Sequence, residues 1–127
     1  MGNIPWLIDG DLNSVPRETA SCAAPLVFKF LTGGACKLRS AYHSVLGAEP
    51  PLTSVKPDFR HTIDYLLLSP DLTAKAVLDI TEGTSTEDKL AAAAHDDPWP
   101  SDHLALMAVV MLPPVAAPAF APAIYGQ

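Results

Sequence analysis

The stretch Thr62 to Leu68 (TIDYLLL) constrains this chain more than any other. It is rich in apolar and aromatic residues, holds one carboxylate, Asp64, and is closed by Ser69-Pro70. A run of this length and composition, ended by a proline, predicts a strand. Asp64 must then either find a partner inside the fold or lie on a solvated face, because burying an unpaired carboxylate is costly. The residues alone leave both open. Three further segments read as strands. Ile4 to Ile8 is a short apolar run predicting a buried strand whose exit turn, Asp9-Gly10-Asp11, carries carboxylates. From Thr73 to Ile80, Ala74, Ala76, Leu78 and Ile80 alternate with Lys75, Val77 and Asp79, the period of a half-buried strand. Leu104 to Leu112 is the longest apolar run and is strand-sized.

Helical signals are fewer. Pro25 to Leu31 places Leu26, Val27, Phe30 and Leu31 on one helical face, with Gly33-Gly34 as a stop. Ser40 to Leu46 fits strand or helix. Gly47 to Pro57 holds three prolines and a glycine and predicts a loop. Thr81 to Pro100 is polar and alanine-rich, with Ser85 and Asp88 spaced to cap a short helix. Residues 113 to 127 form an Ala/Pro-rich tail without periodicity, expected to be extended or disordered. The order of elements predicts α/β or α+β with a strand-rich second half, and no internal repeat.

Composition narrows the class. The chain has 127 residues, 49% hydrophobic and 17% charged, as for one globular domain. Its formal charge of -6 gives no electrostatic reason to bind nucleic acid, although a divalent metal can neutralise carboxylates at a phosphodiester-cleaving site. Two cysteines, Cys22 and Cys36, are too few for a disulfide framework and fit reduced thiols. No apolar run reaches the length of a membrane span. Nothing at Met1 to Ile8 reads as a signal peptide. A soluble intracellular protein, cytoplasmic or nuclear and not attached to membranes, is expected.

Three polar clusters sit beside strands, where loops commonly hold functional groups. In Gly10-Asp11-Leu12-Asn13 a carboxylate can bind Mg²⁺ or orient a water, and an amide two residues on can reach a phosphate oxygen. An ordinary Asx-type turn is the plainer reading. The second cluster is Asp64. In the third, Ser101-Asp102-His103, a histidine beside an acid can transfer protons near neutral pH, and a surface turn is the alternative. If the strands are neighbours in one sheet, the clusters converge at one edge and Asp64 can hold the His103 ring.

In that order the clusters resemble the endonuclease/exonuclease/phosphatase superfamily. Its members run from a strand into G-D-[FL]-N-[ST], then an [IL]-D-Y strand, then S-D-H before a closing strand. Here these are Gly10-Asp11-Leu12-Asn13-Ser14, Ile63-Asp64-Tyr65 and Ser101-Asp102-His103. The nocturnin and Angel-like deadenylases, of the carbon catabolite repressor type, are the most similar branch. They share the pattern of Val15-Pro16, Phe30-Leu31-Thr32-Gly33-Gly34, Ser40-Ala41-Tyr42, Glu49-Pro50-Pro51-Leu52-Thr53 and Phe59 to Tyr65.

The resemblance implies an α+β unit over residues 1–112. This would be the C-terminal half of a four-layer α/β sandwich, with one mostly antiparallel sheet and a flanking helix. It implies Mg²⁺- or Mn²⁺-dependent hydrolysis of RNA or a nucleotide phosphodiester, in the manner of a 3′-to-5′ poly(A)-specific exoribonuclease. Asp11 would orient the attacking water, Asn13 would hold the phosphate, Asp64 would orient His103, and His103 would stabilise the transition state. Asp11 and Asp102 would serve the metal, and Trp99 would stack on a base. No glutamate precedes the G-D-L-N strand, so the chain is read as a fragment lacking the N-terminal half that carries the metal-binding glutamate, with a truncated gene product or a split pair as alternatives, and alone it is expected to be inactive or very weak. The alternative is a catalytically silent remnant acting as an interaction or regulatory module. His61 stands where the branch has glycine, and Leu52 where it has an aromatic. His43 and His95 are read as surface or loop residues, and Trp6 as core.

Overall fold

The computed structural model describes residues 4–18, 25–34, 36–56, 58–81 and 101–114. Among them lie seven strands and two helices, a small α+β fold in which every strand pair is antiparallel. The strands form three hydrogen-bonded groups instead of the one sheet expected.

The TIDYLLL stretch supplies the central strand. β5 (Asp64–Leu68) lies between β1 (Leu7–Asp11) and the two-residue β2 (Arg39–Ser40). Both of its faces are covered, which is why its sequence is continuously apolar instead of alternating. Leu66 and Leu68 pack with Ala41, Tyr42 and Leu72 on one side, where Val77, Leu106 and Val110 also lean in. Tyr65 and Leu67 pack with Leu38, Ile8, Phe28 and Leu31 on the other.

β1 begins three residues later than the Ile4 to Ile8 reading and runs through the Asp9-Gly10-Asp11 segment assigned to its exit turn. Ile4 is 83% exposed and Trp6 44% exposed, so neither is core. The Trp6 backbone is nevertheless anchored, exchanging hydrogen bonds with Ser69. Helix α1 (Leu26–Thr32) forms where expected, but its buried side differs. Leu26, Val27 and Phe30 face outward, while Phe28 and Leu31 pack against the core. Phe28 sets this rotation, its ring stacking on Tyr65 with centroids 4.7 Å apart.

The ambiguous Ser40 to Leu46 segment is helix α2 (Ala41–Leu46). Ser40 ends β2 and caps α2, its hydroxyl accepting from the His43 amide. Gly47 ends α2 at φ 78°, a left-handed C-cap that glycine adopts without a Cβ clash. The Pro-rich segment read as loop contains β3 (Ser54–Lys56), which pairs with β4 (Phe59–His61) in a hairpin.

β6 (Thr73–Val77) pairs with β7 (Ala108–Met111). The expected alternation fails at a register shift between Ala74 and Ala76. An extra residue in one strand reverses which side chains face inward. Val77 therefore joins Ala74 against the core, while Ala76 and Leu78 are exposed. In the Leu104 to Leu112 run only Ala108–Met111 is strand. The readings for Ser85, Asp88, His95, Trp99 and the tail from residue 115 lie outside the described residues. Among the described residues no helix is long and apolar enough to cross a membrane.

Candidate active site

The β1–β5 register sets Asp11 directly opposite Asp64. Residues directly opposite in an antiparallel pair project to the same face, with Cβ atoms about 4.5–5.5 Å apart. Two carboxylates in that relation repel unless each is compensated.

At Asp11 the compensation is local. Its Oδ1 accepts from the Asn13 amide at 2.7 Å and its Oδ2 from Asn13 Nδ2 at 3.2 Å. This is the Asx-type turn of the plainer reading, and Asn13 closes it in the left-handed region at φ 46°. Asparagine tolerates that region better than most residues.

At Asp64 the compensation is long-range. His103 Nδ1 lies 3.0 and 2.9 Å from its two oxygens. The Thr53 hydroxyl donates to Oδ2 at 2.7 Å. The same hydroxyl oxygen accepts from the Ile63 and Asp64 amides, both at 3.0 Å. Thr53 is fully buried. Of the two possibilities left open by sequence, Asp64 takes the partnered one.

His103 owes its position to β3. It bridges Ser54, flanked by hydrogen bonds from the Val55 amide to the Asp102 carbonyl and from the Leu104 amide to the Thr53 carbonyl. Leu104 seats beside Leu52 and Val55, fixing the segment from below. With Nδ1 against Asp64, the second ring nitrogen, Nε2, sits 3.8 Å from Asp102 Oδ2. That Asp102 oxygen is also 3.1 Å from Lys56 Nζ. The ammonium, with the nearby imidazole adding to its effect, holds the Asp102 carboxyl below its ordinary range.

Asp11, Asn13, Asp64, His103 and Asp102 thus form a chain of contacts and cross-strand pairing, and Trp99 lies outside the described residues. For a divalent cation the fit is partial. Asp11 is an exposed carboxylate of the kind Mg²⁺ takes, usually one or two at a time with waters and phosphate oxygens. Asp102 already has an ammonium against it. Among the described residues no group of three His, Cys, Asp or Glu side chains is arranged to hold a metal.

Sequence reasoning left Thr53 and Lys56 without a role. In the sequence Thr53 is only the last residue of the Glu49-Pro50-Pro51-Leu52-Thr53 pattern, and nothing local marks it as a partner of Asp64. Lys56 carries no signal either, because only the fold brings it to Asp102. No family model matches this chain, and no curated protein matches it.

Proposed function

We propose that the Asp11–Asp64–His103 constellation is part of the active site of a divalent-metal-dependent phosphodiester hydrolase acting on RNA or a nucleotide, with 3′-terminal adenylates as its substrate. The observation that carries this reading is the His103–Asp64 contact, held from behind by a buried threonine. An exposed surface turn has no need of such a support. A carboxylate that grips one imidazole nitrogen fixes the ring and with it the direction of the other nitrogen, the one a phosphate oxygen would approach. Asp11, on the same face, is placed to orient a water. Asn13, whose amide now donates to Asp11, offers that donor to an arriving phosphate oxygen. Mg²⁺ or Mn²⁺, when bound, would supply charge neutralisation and lower the pKa of the attacking water.

The same reading makes the α+β unit one half of a two-sheet sandwich, with a second half completing the metal shell. Its support is the apolar surface of the β6–β7 ribbon, where Met107, Val109 and Met111 recur at every second residue, each more than half exposed. Soluble monomers seldom display such a stripe uncovered. That surface also favours the second reading, a silent module that binds a partner there.

The test is cleavage of oligoadenylate with Mg²⁺ by the chain and by its Asp11→Ala and His103→Ala variants. Very weak turnover by the chain, lowered at least ~10²-fold by either substitution, is the expected result. Equal cleavage by all three would refute the site, and no cleavage by any would remove the support for a working site in this chain and leave the silent module as the better reading. Vigorous turnover by the chain alone would overturn the two-halves reading.

A further inference from the structure

The chain contains three arginines, and all three (Arg17, Arg39 and Arg60) line one cavity together with His43 and His61. The cavity measures about 890 Å³. Small-molecule sites commonly fall between about 300 and 1,000 Å³. In a protein of net charge -6, the lining carries three arginines and two histidines against one carboxylate.

One carboxylate, Glu49, shares the wall and is already engaged. Its Oε2 accepts the Ser40 hydroxyl at 2.8 Å. Burial pushes its carboxyl up, while Ser40 and the neighbouring His43 draw it part of the way back.

We infer that this cavity binds a phosphate-bearing small molecule of nucleotide size. Guanidinium groups suit phosphate because they stay charged at any physiological pH and present several donors in a plane. Arg39 is held in place, its Nη2 donating to the Pro70 and Leu72 carbonyls at 3.0 and 2.7 Å. Arg60 also interacts within the protein. Pro70 and Leu72 lie outside the lining, so Arg39 Nη2 is turned from the cavity and Arg39 adds only to the local positive charge, while Arg17, His43 and His61 supply the direct contacts. Asp11, Asn13, Asp64 and His103 take no part in the lining, so the inference stands apart from the hydrolase reading.

The experiment is a titration of the ¹⁵N-labelled full chain with AMP, inorganic phosphate and adenosine, followed by amide and imidazole shifts. AMP is expected to bind saturably, phosphate more weakly, and adenosine at least tenfold more weakly than AMP. The shifts should centre on Arg17, His43 and His61. The Arg17→Gln/His61→Gln double variant should weaken AMP at least tenfold, and Glu49→Gln should tighten it by removing a like charge. Thermal unfolding confirms that each variant is folded. The inference is overturned by AMP and adenosine binding alike, by shifts centred on Asp11 and His103, by an unaffected double variant, or by no AMP binding at millimolar concentration.

Discussion

Replacing Thr53 with valine removes one oxygen and nearly nothing else, since the two side chains have almost the same shape. That oxygen serves three hydrogen bonds, one donated to Asp64 and two accepted from the Ile63 and Asp64 amides. A hydrogen bond to a charged group contributes about 1.5–3 kcal/mol, and a buried amide left without an acceptor costs about 1–3 kcal/mol. The three meet on one atom and do not add, so about 3–4 kcal/mol is expected for Thr53→Val. Thr53→Ser keeps the hydroxyl and loses one buried methyl, costing about 1 kcal/mol. Urea unfolding of the two variants measures the difference. The two costs differ by about 2–3 kcal/mol, so at an m-value of about 1–2 kcal/mol/M their midpoints should differ by roughly 1–3 M. The His103 imidazole NMR signals supply a second readout, because valine frees Asp64 to rotate away from the ring and serine does not. Unfolding free energies within about 0.5 kcal/mol of each other would refute the assignment of Thr53 as the group that fixes Asp64.

Tyr65→Phe should cost about 1–2 kcal/mol in urea unfolding, because the phenol donates to the Ser14 carbonyl at 2.6 Å and lies 3.0 Å from that of Thr62. Ser54→Ala should be neutral or stabilising by about 1 kcal/mol, since Ser54 Oγ is buried without a partner among the described residues. Loss of more than that would mean the hydroxyl is used. Glu49 governs a pH effect. Its carboxyl sits above the ordinary 4.5, so the folded chain holds that proton more tightly than the unfolded one. The stability this gives is complete below about pH 4.5 and is lost as pH rises through the higher folded value. Glu49→Gln should not show that decline, so its unfolding midpoint should gain on the wild type between about pH 4 and pH 8.

Much of this fold is legible in the sequence, for reasons that differ between elements. The continuous apolar run of β5 identifies a strand covered on both faces, and the structure covers it. Ser40 and Gly47 bracket α2, one accepting the first orphan amide and the other supplying a left-handed end, and these signals decide what periodicity leaves open. The failures come where tertiary packing overrides a local pattern. The Leu26, Val27, Phe30 and Leu31 stripe is a proper helical face, yet α1 turns to bring Phe28 onto Tyr65. The alternation from Thr73 to Ile80 is genuine until the β6 irregularity reverses it, and no residue type in that stretch marks a bulge.

The candidate site shows the same division at finer grain. Asp64 and His103 are 39 residues apart, and each is weak evidence alone; the contact between them is made by a third segment. β3 receives residues 102 to 104 as a short extra strand on one edge and β4 on the other. The residue preceding β3, Thr53, ties the hairpin to β5. The geometry of the pair therefore depends on a three-residue strand lying in a stretch whose prolines and glycine read as loop. Proline density obscures such a strand because the strand needs only its own few amides, here Val55 pairing with the Asp102 carbonyl. A site assembled in this way is expected to loosen when the hairpin loosens, before the β1–β5 pairing is lost, because the hairpin contributes the smaller buried cluster.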